Sequence, residues 1–277
     1  MRKSTFGHVL MLLIAAMFFS QQLQAKLVFT APPRESKKNA LELYTPFAEY
    51  LTQLLGEEVE YHYPRGWLRY QRDIRRNVYD LIFDGPHFAS WRMLHLGHKP
   101  LVKLPGTLVF YFITPVTNVD ITKASDFIYK KVCIIPPPNL TALVLLAELN
   151  DPIKEPVLKS VKGGMPVVFK ELAKNSCAGA VVRSDFFDKK LPAEQRAKYK
   201  IIHTTKPIPN QVITAGSKVN KTSRDKIIQS LTAGEGVEVT NKIVKRFGGK
   251  KVKSFIKATK EDYDGQNKLL EGVILGW

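Results

Sequence analysis

Three histidines, His87, His95 and His98, fall within twelve residues and lie just behind Asp84. Imidazoles and a carboxylate grouped this way are the raw material of a zinc site. The step from His95 to His98 fits a structural zinc site poorly, however, and no cysteine joins the group. The two cysteines, Cys133 and Cys177, come later in the chain. A cysteine nucleophile needs a nearby histidine to make thiolate. His203 is the one candidate in that half of the chain, and nothing around it suggests a triad. In an oxidising compartment the two cysteines could instead form a bridge, provided their strands are neighbours; otherwise they are two buried thiols. No acid, base and nucleophile set emerges, so the chain reads as a non-enzyme without cofactor or metal.

The residues that precede these groups have the form of an export signal. Arg2 and Lys3 make a positive start, and Val9 to Phe19 is an apolar run of about ten residues. That run is too short to span a bilayer, which takes about twenty apolar residues. Cleavage after Ala25 would leave 252 residues, Lys26 to Trp277, enough for one large domain or two small ones. At 44% apolar and 24% charged the chain is globular in composition. The formal charge of +17 falls to +15 once Arg2 and Lys3 leave. Such a surface can be steered towards anions or anionic membranes. The lysines are spread along the chain and lack an aromatic-interleaved motif, so nucleic acid is not expected as a partner.

Two runs of alternating strands and helices would position these side chains. Leu27 to Thr30 reads as a buried strand, and Ala31-Pro32-Pro33-Arg34-Glu35-Ser36 breaks it. Leu41, Tyr44, Phe47, Ala48, Leu51, Leu54 and Leu55 form the stripe of an amphipathic helix, which Gly56 ends. Strands over 59–63 and 79–83 flank a short helix containing Leu68 and Ile74. This β-α-β-α-β order favours a largely parallel sheet. A strand over 108–114 follows, ending at Pro115, where the chain crosses into a second lobe. There the pattern restarts: strand 131–135, helix 141–149, a weak strand 156–161, helix 166–174, strand 177–182 and short strand 201–203. Pro207-Ile208-Pro209-Asn210 marks the return, before a strand over 211–215 and a helix over 223–233. The expected lobes are 26–114 with 211–277, and 115–210. The cleft between them is where a ligand would bind.

Five pieces carry a family resemblance, in order, across nearly all of the mature chain. They are the strand and turn from Leu27 to Ser36; Tyr44-Thr45-Pro46-Phe47 in the first helix; Tyr79-Asp80-Leu81-Ile82-Phe83-Asp84-Gly85-Pro86; Lys206-Pro207-Ile208-Pro209-Asn210; and Asp262-Tyr263-Asp264. The chain resembles the phosphate/phosphite/phosphonate periplasmic substrate-binding proteins of ABC transporters. The resemblance implies an α/β fold of the type II periplasmic-binding-protein kind, with two lobes joined by two crossovers. It also implies a protein, acting as a monomer, that closes on a small oxyanion in the periplasm and delivers it to an ABC permease. A periplasmic module presenting its solute to a membrane-bound sensor is the alternative.

The ligand positions of the family carry over only in part. Its phosphonate members have a Ser-Thr-Ser run at a helix start in lobe two, where N–H groups, hydroxyls and the helix dipole bind phosphoryl oxygens. The matching stretch here is Asn139-Leu140-Thr141-Ala142, with one hydroxyl left and Asn139 as an N-cap. The family's histidine falls near Met165, its first-lobe tyrosine at Asp84 and its lobe-two acid near Ala178. These departures argue against an aminoalkylphosphonate ligand. Asp84 reads either as an acceptor that selects a protonated anion or as a cap on its own turn. Trp67 reads as a cleft aromatic or as core. Arg65 reads as a bidentate anion contact or as an ordinary surface charge. The expected cleft lining is Pro33, Arg34, Glu35, Arg65, Trp67, Asp84, Gly85, Asn139, Thr141 and Asn210.

Overall fold

The computed structural model describes residues 26–274 and Trp277, so the expected leader and its junction at Ala25 lie outside the described residues. The first lobe is built around strand β1 (Leu27–Thr30), which pairs in parallel with β2 (Val59–His62) and β3 (Leu81–Asp84). Between β1 and β2 runs helix α1 (Lys37–Leu55), capped by the Ser36 hydroxyl, which accepts from Asn39 N–H, and ended by Gly56 at φ 71°. Gly56 takes the left-handed conformation that a side chain would oppose. The apolar stripe is buried at Ala40, Tyr44, Phe47, Ala48 and Leu51, while Pro46 sits on the exposed side. There, the carbonyl deprived of its partner by proline faces water. Phe29 anchors the inner face, with its ring centroid 5.1 Å from Phe47 and 5.7 Å from Tyr61.

Helix α2 (Trp67–Arg75) returns the chain to β3, and α3 (Pro86–His95) follows directly. Pro86 at its first position suits a helix start, because that N–H would lack a partner anyway. Eight of the ten α3 residues, Pro86 to Met93, are buried. The sheet is completed by β4 (Lys99–Lys103), β12 (Val212–Ala215) and β13 (Ile256–Lys257), giving the order β13-β4-β12-β3-β1-β2. Strand β12 runs antiparallel to both neighbours, so only the β2-β1-β3 portion is parallel. Helix α3 and strand β4 were not anticipated from the sequence.

The second sheet has the order β10-β6-β9-β7-β8. Its strands are β6 (Phe110–Pro115), β7 (Lys131–Ile134), β8 (Val157–Ser160), β9 (Gly179–Arg183) and β10 (Tyr199–Thr204). Strand β6 overlaps the 108–114 strand expected to finish the first lobe. It pairs instead with β9 and β10, so the chain has already crossed before Phe110. An apolar run reads alike in either sheet, and only its partners reveal where it belongs. The two crossings meet as a short antiparallel ribbon, β5 (Thr107–Leu108) with β11 (Ile208–Pro209). Helices α4 (Leu140–Leu149) and α5 (Met165–Ala173) flank the second sheet. Cys133 on β7 and Cys177 just before β9 are joined by a disulfide, with Cα atoms 5.7 Å apart. The open alternative of two free thiols is thereby resolved. The expected two-lobed α/β architecture is present.

Candidate functional site

The lobes meet where the loops after β1 and β3 face the Pro136–Asn139 turn of lobe two. At the first helical turn of α3, the His87 side chain reaches across the seam. Its Nε2 lies 3.2 Å from the carbonyl oxygen of Pro138. His87 is only 3% exposed, and its Nδ1 has no hydrogen-bond partner among the described residues. Burial, followed by the charges of Arg34 and then Arg92, pushes its pKa down to about 3, so the ring is neutral.

Arg34 comes to the same place from the β1–α1 loop, and its Nη1 is also buried without a hydrogen-bond partner among the described residues. Gly85 makes room for both side chains. A Cβ built on it would lie 2.7 Å from His87 Cε1, 3.1 Å from His87 Nδ1 and 3.6 Å from Arg34 Nη2. The absence of a side chain at residue 85 thus lets the His87 ring and the Arg34 guanidinium pack on either side of its backbone. Buried polar groups are normally hydrogen-bonded, so the two orphaned atoms flanking Gly85 stand out.

A separate cavity of about 660 Å³ lies between lobe two and Arg246, within the ~300–1,000 Å³ range of small-molecule sites. Lobe two contributes Gly164, Met165, Phe169, Arg183 and Asp185, and lobe one contributes Arg246. The Phe247 ring lies between two cations, with the Arg246 guanidinium 5.1 Å and the Arg34 guanidinium 5.6 Å from its centroid. A larger cavity, about 970 Å³, lies towards the crossings and carries Glu148, Asp151, Glu155 and Glu271. Its lining also holds Lys206, Lys268 and His203, so its charge is mixed.

The residues expected to line the cleft fall into three groups. Arg34, Gly85 and Asn139 converge on the seam, with Pro33 beside them, half-buried, and Thr141 just behind. Asn139 caps α4, its Oδ1 accepting from Thr141 N and Oγ1 at 3.0 Å each. The Thr141 hydroxyl also binds the N–H and carbonyl of Ile135, so it shapes the turn from within. Glu35 stands at the edge, its carboxylate 2.8 Å from Arg246 Nη2.

The remaining four lie elsewhere. Asp84 is fully buried in lobe one, where it accepts two hydrogen bonds from Arg92 and a third, of 2.6 Å, from Tyr70. Neither its capping reading nor its ligand reading describes that geometry. Trp67, half-buried, stacks on Phe88 at 6.2 Å and meets Tyr70 edge-on, packed against the edge of the lobe-one core. Arg65 is exposed at the turn before α2. Asn210 belongs to the crossings, donating to Pro105 O at 3.1 Å and accepting from Gln211 N at 2.9 Å.

The three clustered histidines face different partners. His87 meets Pro138, His95 meets Glu271, and His98 meets Asn77 and Thr214. Cys177 is held in the disulfide and has no thiolate to offer. His87 and Arg92, at and beneath this seam, were not among the residues expected there. The available signal was Pro86, which can open a helix and thereby sets residue 87 on its first turn.

The family model described as "ABC transporter, phosphonate, periplasmic substrate-binding protein" matches residues 29–263. The chain belongs to this family of periplasmic substrate-binding proteins. Among solved structures, PhnD1 of Prochlorococcus marinus in complex with methylphosphonate is similar at 11% identity and TM-score 0.62, covering 88% of this chain and 96% of its own. XAC2383 of Xanthomonas citri, bound to ATP, is similar at 14% identity and TM-score 0.68, covering 90% and 96%. A binding-protein component of a phosphonate ABC transporter from Pseudomonas aeruginosa, PA3383, gives 14% identity and TM-score 0.59, covering 89% and 85%. At these identities the likeness is one of fold. No curated protein sequence is significantly similar to the chain.

Proposed function

We propose that this protein is an exported, monomeric solute-binding protein that captures a small phosphonate-like anion at the interlobe seam and hands it to an ABC importer. The observation that carries this reading is that Arg34 Nη1 and His87 Nδ1, on side chains flanking Gly85, are both buried with no hydrogen-bond partner among the described residues. A buried N–H group without an acceptor is costly, and an oxyanion supplies the missing acceptor and a complementary charge. The cationic surface favours capture of such ligands, and a disulfide suits an oxidising compartment such as the periplasm. The paired ribbon of β5 and β11 is where the lobes would rotate on release.

Titration calorimetry of the chain from Lys26 with methylphosphonate, phosphate and sulfate tests this. Binding of a phosphoryl anion is expected, with Arg34→Gln weakening it at least about tenfold, the scale of a charge-assisted hydrogen bond. Absence of heat and of any thermal shift with every oxyanion would overturn the proposal.

A further inference from the structure

We infer that His87 is the cleft's hydrogen-bond acceptor, and that it restricts the site to anions carrying a proton, so that a hydrogen phosphonate is taken and sulfate refused. This rests on the anion-binding reading above and names the ligand's protonation state.

The tautomer follows from geometry. A carbonyl oxygen can only accept, so the 3.2 Å contact between His87 Nε2 and Pro138 O requires the hydrogen on Nε2. A neutral ring then leaves Nδ1 with a lone pair and no hydrogen. The surroundings keep the ring neutral. Phe88 packs against it from its own helix at 4.2 Å, and Pro138 faces it from lobe two. The charged groups that act on it are Arg34, from the β1–α1 loop, and Arg92, from one turn along α3. Both are cationic. Asp84, the carboxylate just before Gly85, has its oxygens engaged by Arg92 and Tyr70.

The seam therefore offers a cationic donor at Arg34 and a pure acceptor at His87, the two side chains flanking Gly85. A ligand that satisfies both must present an anionic oxygen to one and an O–H to the other. A monoprotonated phosphoryl group has both features. Sulfate at neutral pH has no proton, so its oxygen would face the Nδ1 lone pair. A buried acceptor set against another acceptor is the arrangement that discriminates most strongly between near-isosteric ligands. The role that Asp84's residue type suggested thus belongs to a residue three positions later.

Calorimetric titration of the Lys26-to-Trp277 chain tests the inference. Wild type should bind methylphosphonate at least about a hundredfold more tightly than sulfate. His87→Phe keeps the ring packing but removes the acceptor, and should bring that ratio below about tenfold. A merely structural role for His87 would lower both affinities and leave the ratio intact, which would overturn the inference. A second measurement needs no variant. Two pH units above the second ionisation of methylphosphonate, titrations in buffers of different ionisation enthalpy should show one proton taken up per ligand bound, and no uptake overturns the inference. If sulfate and methylphosphonate bind wild type equally, the acceptor role fails while anion capture stands. If neither binds, both proposals fall.

Discussion

Asp84 and Arg92 form a bidentate ion pair, 2.6 and 2.8 Å between nitrogen and oxygen, with both side chains at zero exposure. Asp84 ends the central strand β3, Arg92 sits two turns into α3, and Arg92 Nη2 also donates to Thr214 on β12 at 2.8 Å. The pair thus fastens the helix that carries His87 to the sheet beneath it. This is a structural reason for an acidic residue at the position where phosphonate-binding relatives have a ligand-facing tyrosine.

Removing one partner leaves a buried charge uncompensated. Asp84→Ala should therefore cost about 3–5 kcal/mol of folding free energy, measured by urea denaturation. The double replacement Asp84→Leu with Arg92→Met removes both charges and should cost less than Asp84→Ala alone. A double variant that loses the sum of the two single losses would show that the residues act independently.

His98 adds a pH dependence on the other side of Arg92. The ring is 2% exposed and bonds Asn77 Oδ1 at 3.0 Å. Burial first, then the Arg92 charge, pushes its pKa down to about 3. An unfolded histidine titrates near 6.5, so between about pH 6.5 and 3 the unfolded chain binds a proton that the folded chain does not. The stability contributed by neutral His98 is complete above about pH 6.5 and declines as pH falls. The limiting slope is about 1.4 kcal/mol per pH unit for each such histidine, and His87 behaves alike. Urea midpoints at pH 7, 6 and 5 should fall, and His98→Gln should flatten that fall. Parallel pH profiles for the two proteins would remove His98 from the account.

The contrast between α1 and α3 shows what the sequence could reveal. Helix α1 lies on the surface of the sheet, so its apolar residues recur at helical spacing and its caps are visible as Ser36 and Gly56. Helix α3 is buried nearly all round, so no stripe distinguishes it from a loop or a strand, and its His87 and Arg92 read as stray polar residues. Local chemistry was legible at Asn139, because a cap acts over two residues. The meaning of Asp84 was not, because its partners lie 8 and 14 residues away and meet it only once the helices pack on β3. Likewise, His87 in a histidine cluster suggested metal, whereas its role depends on a carbonyl 51 residues away in the other lobe.

Leu143 provides the apolar counterpart of the His87 bridge. Its neighbours on α4, Ala142, Val144 and Leu145, lie in the core of lobe two. Leu143 itself joins the lobe-one cluster of Tyr70, Phe88, Trp91 and Leu270, with no exposure. Closing the lobes thus buries a leucine in the opposite lobe, which favours the closed arrangement before any ligand arrives. Truncation of a buried leucine typically costs about 2–5 kcal/mol, here divided between lobe stability and closure. If closure takes even about 1.4 kcal/mol of that, the ratio of closed to open molecules shifts about tenfold. Leu143→Ala should then enlarge the radius of gyration of the ligand-free protein in small-angle scattering and weaken methylphosphonate binding by the lost closed fraction. A variant that melts earlier but keeps the wild-type radius and affinity would confine Leu143 to the folding of the protein, and leave the His87–Pro138 contact to hold the lobes together.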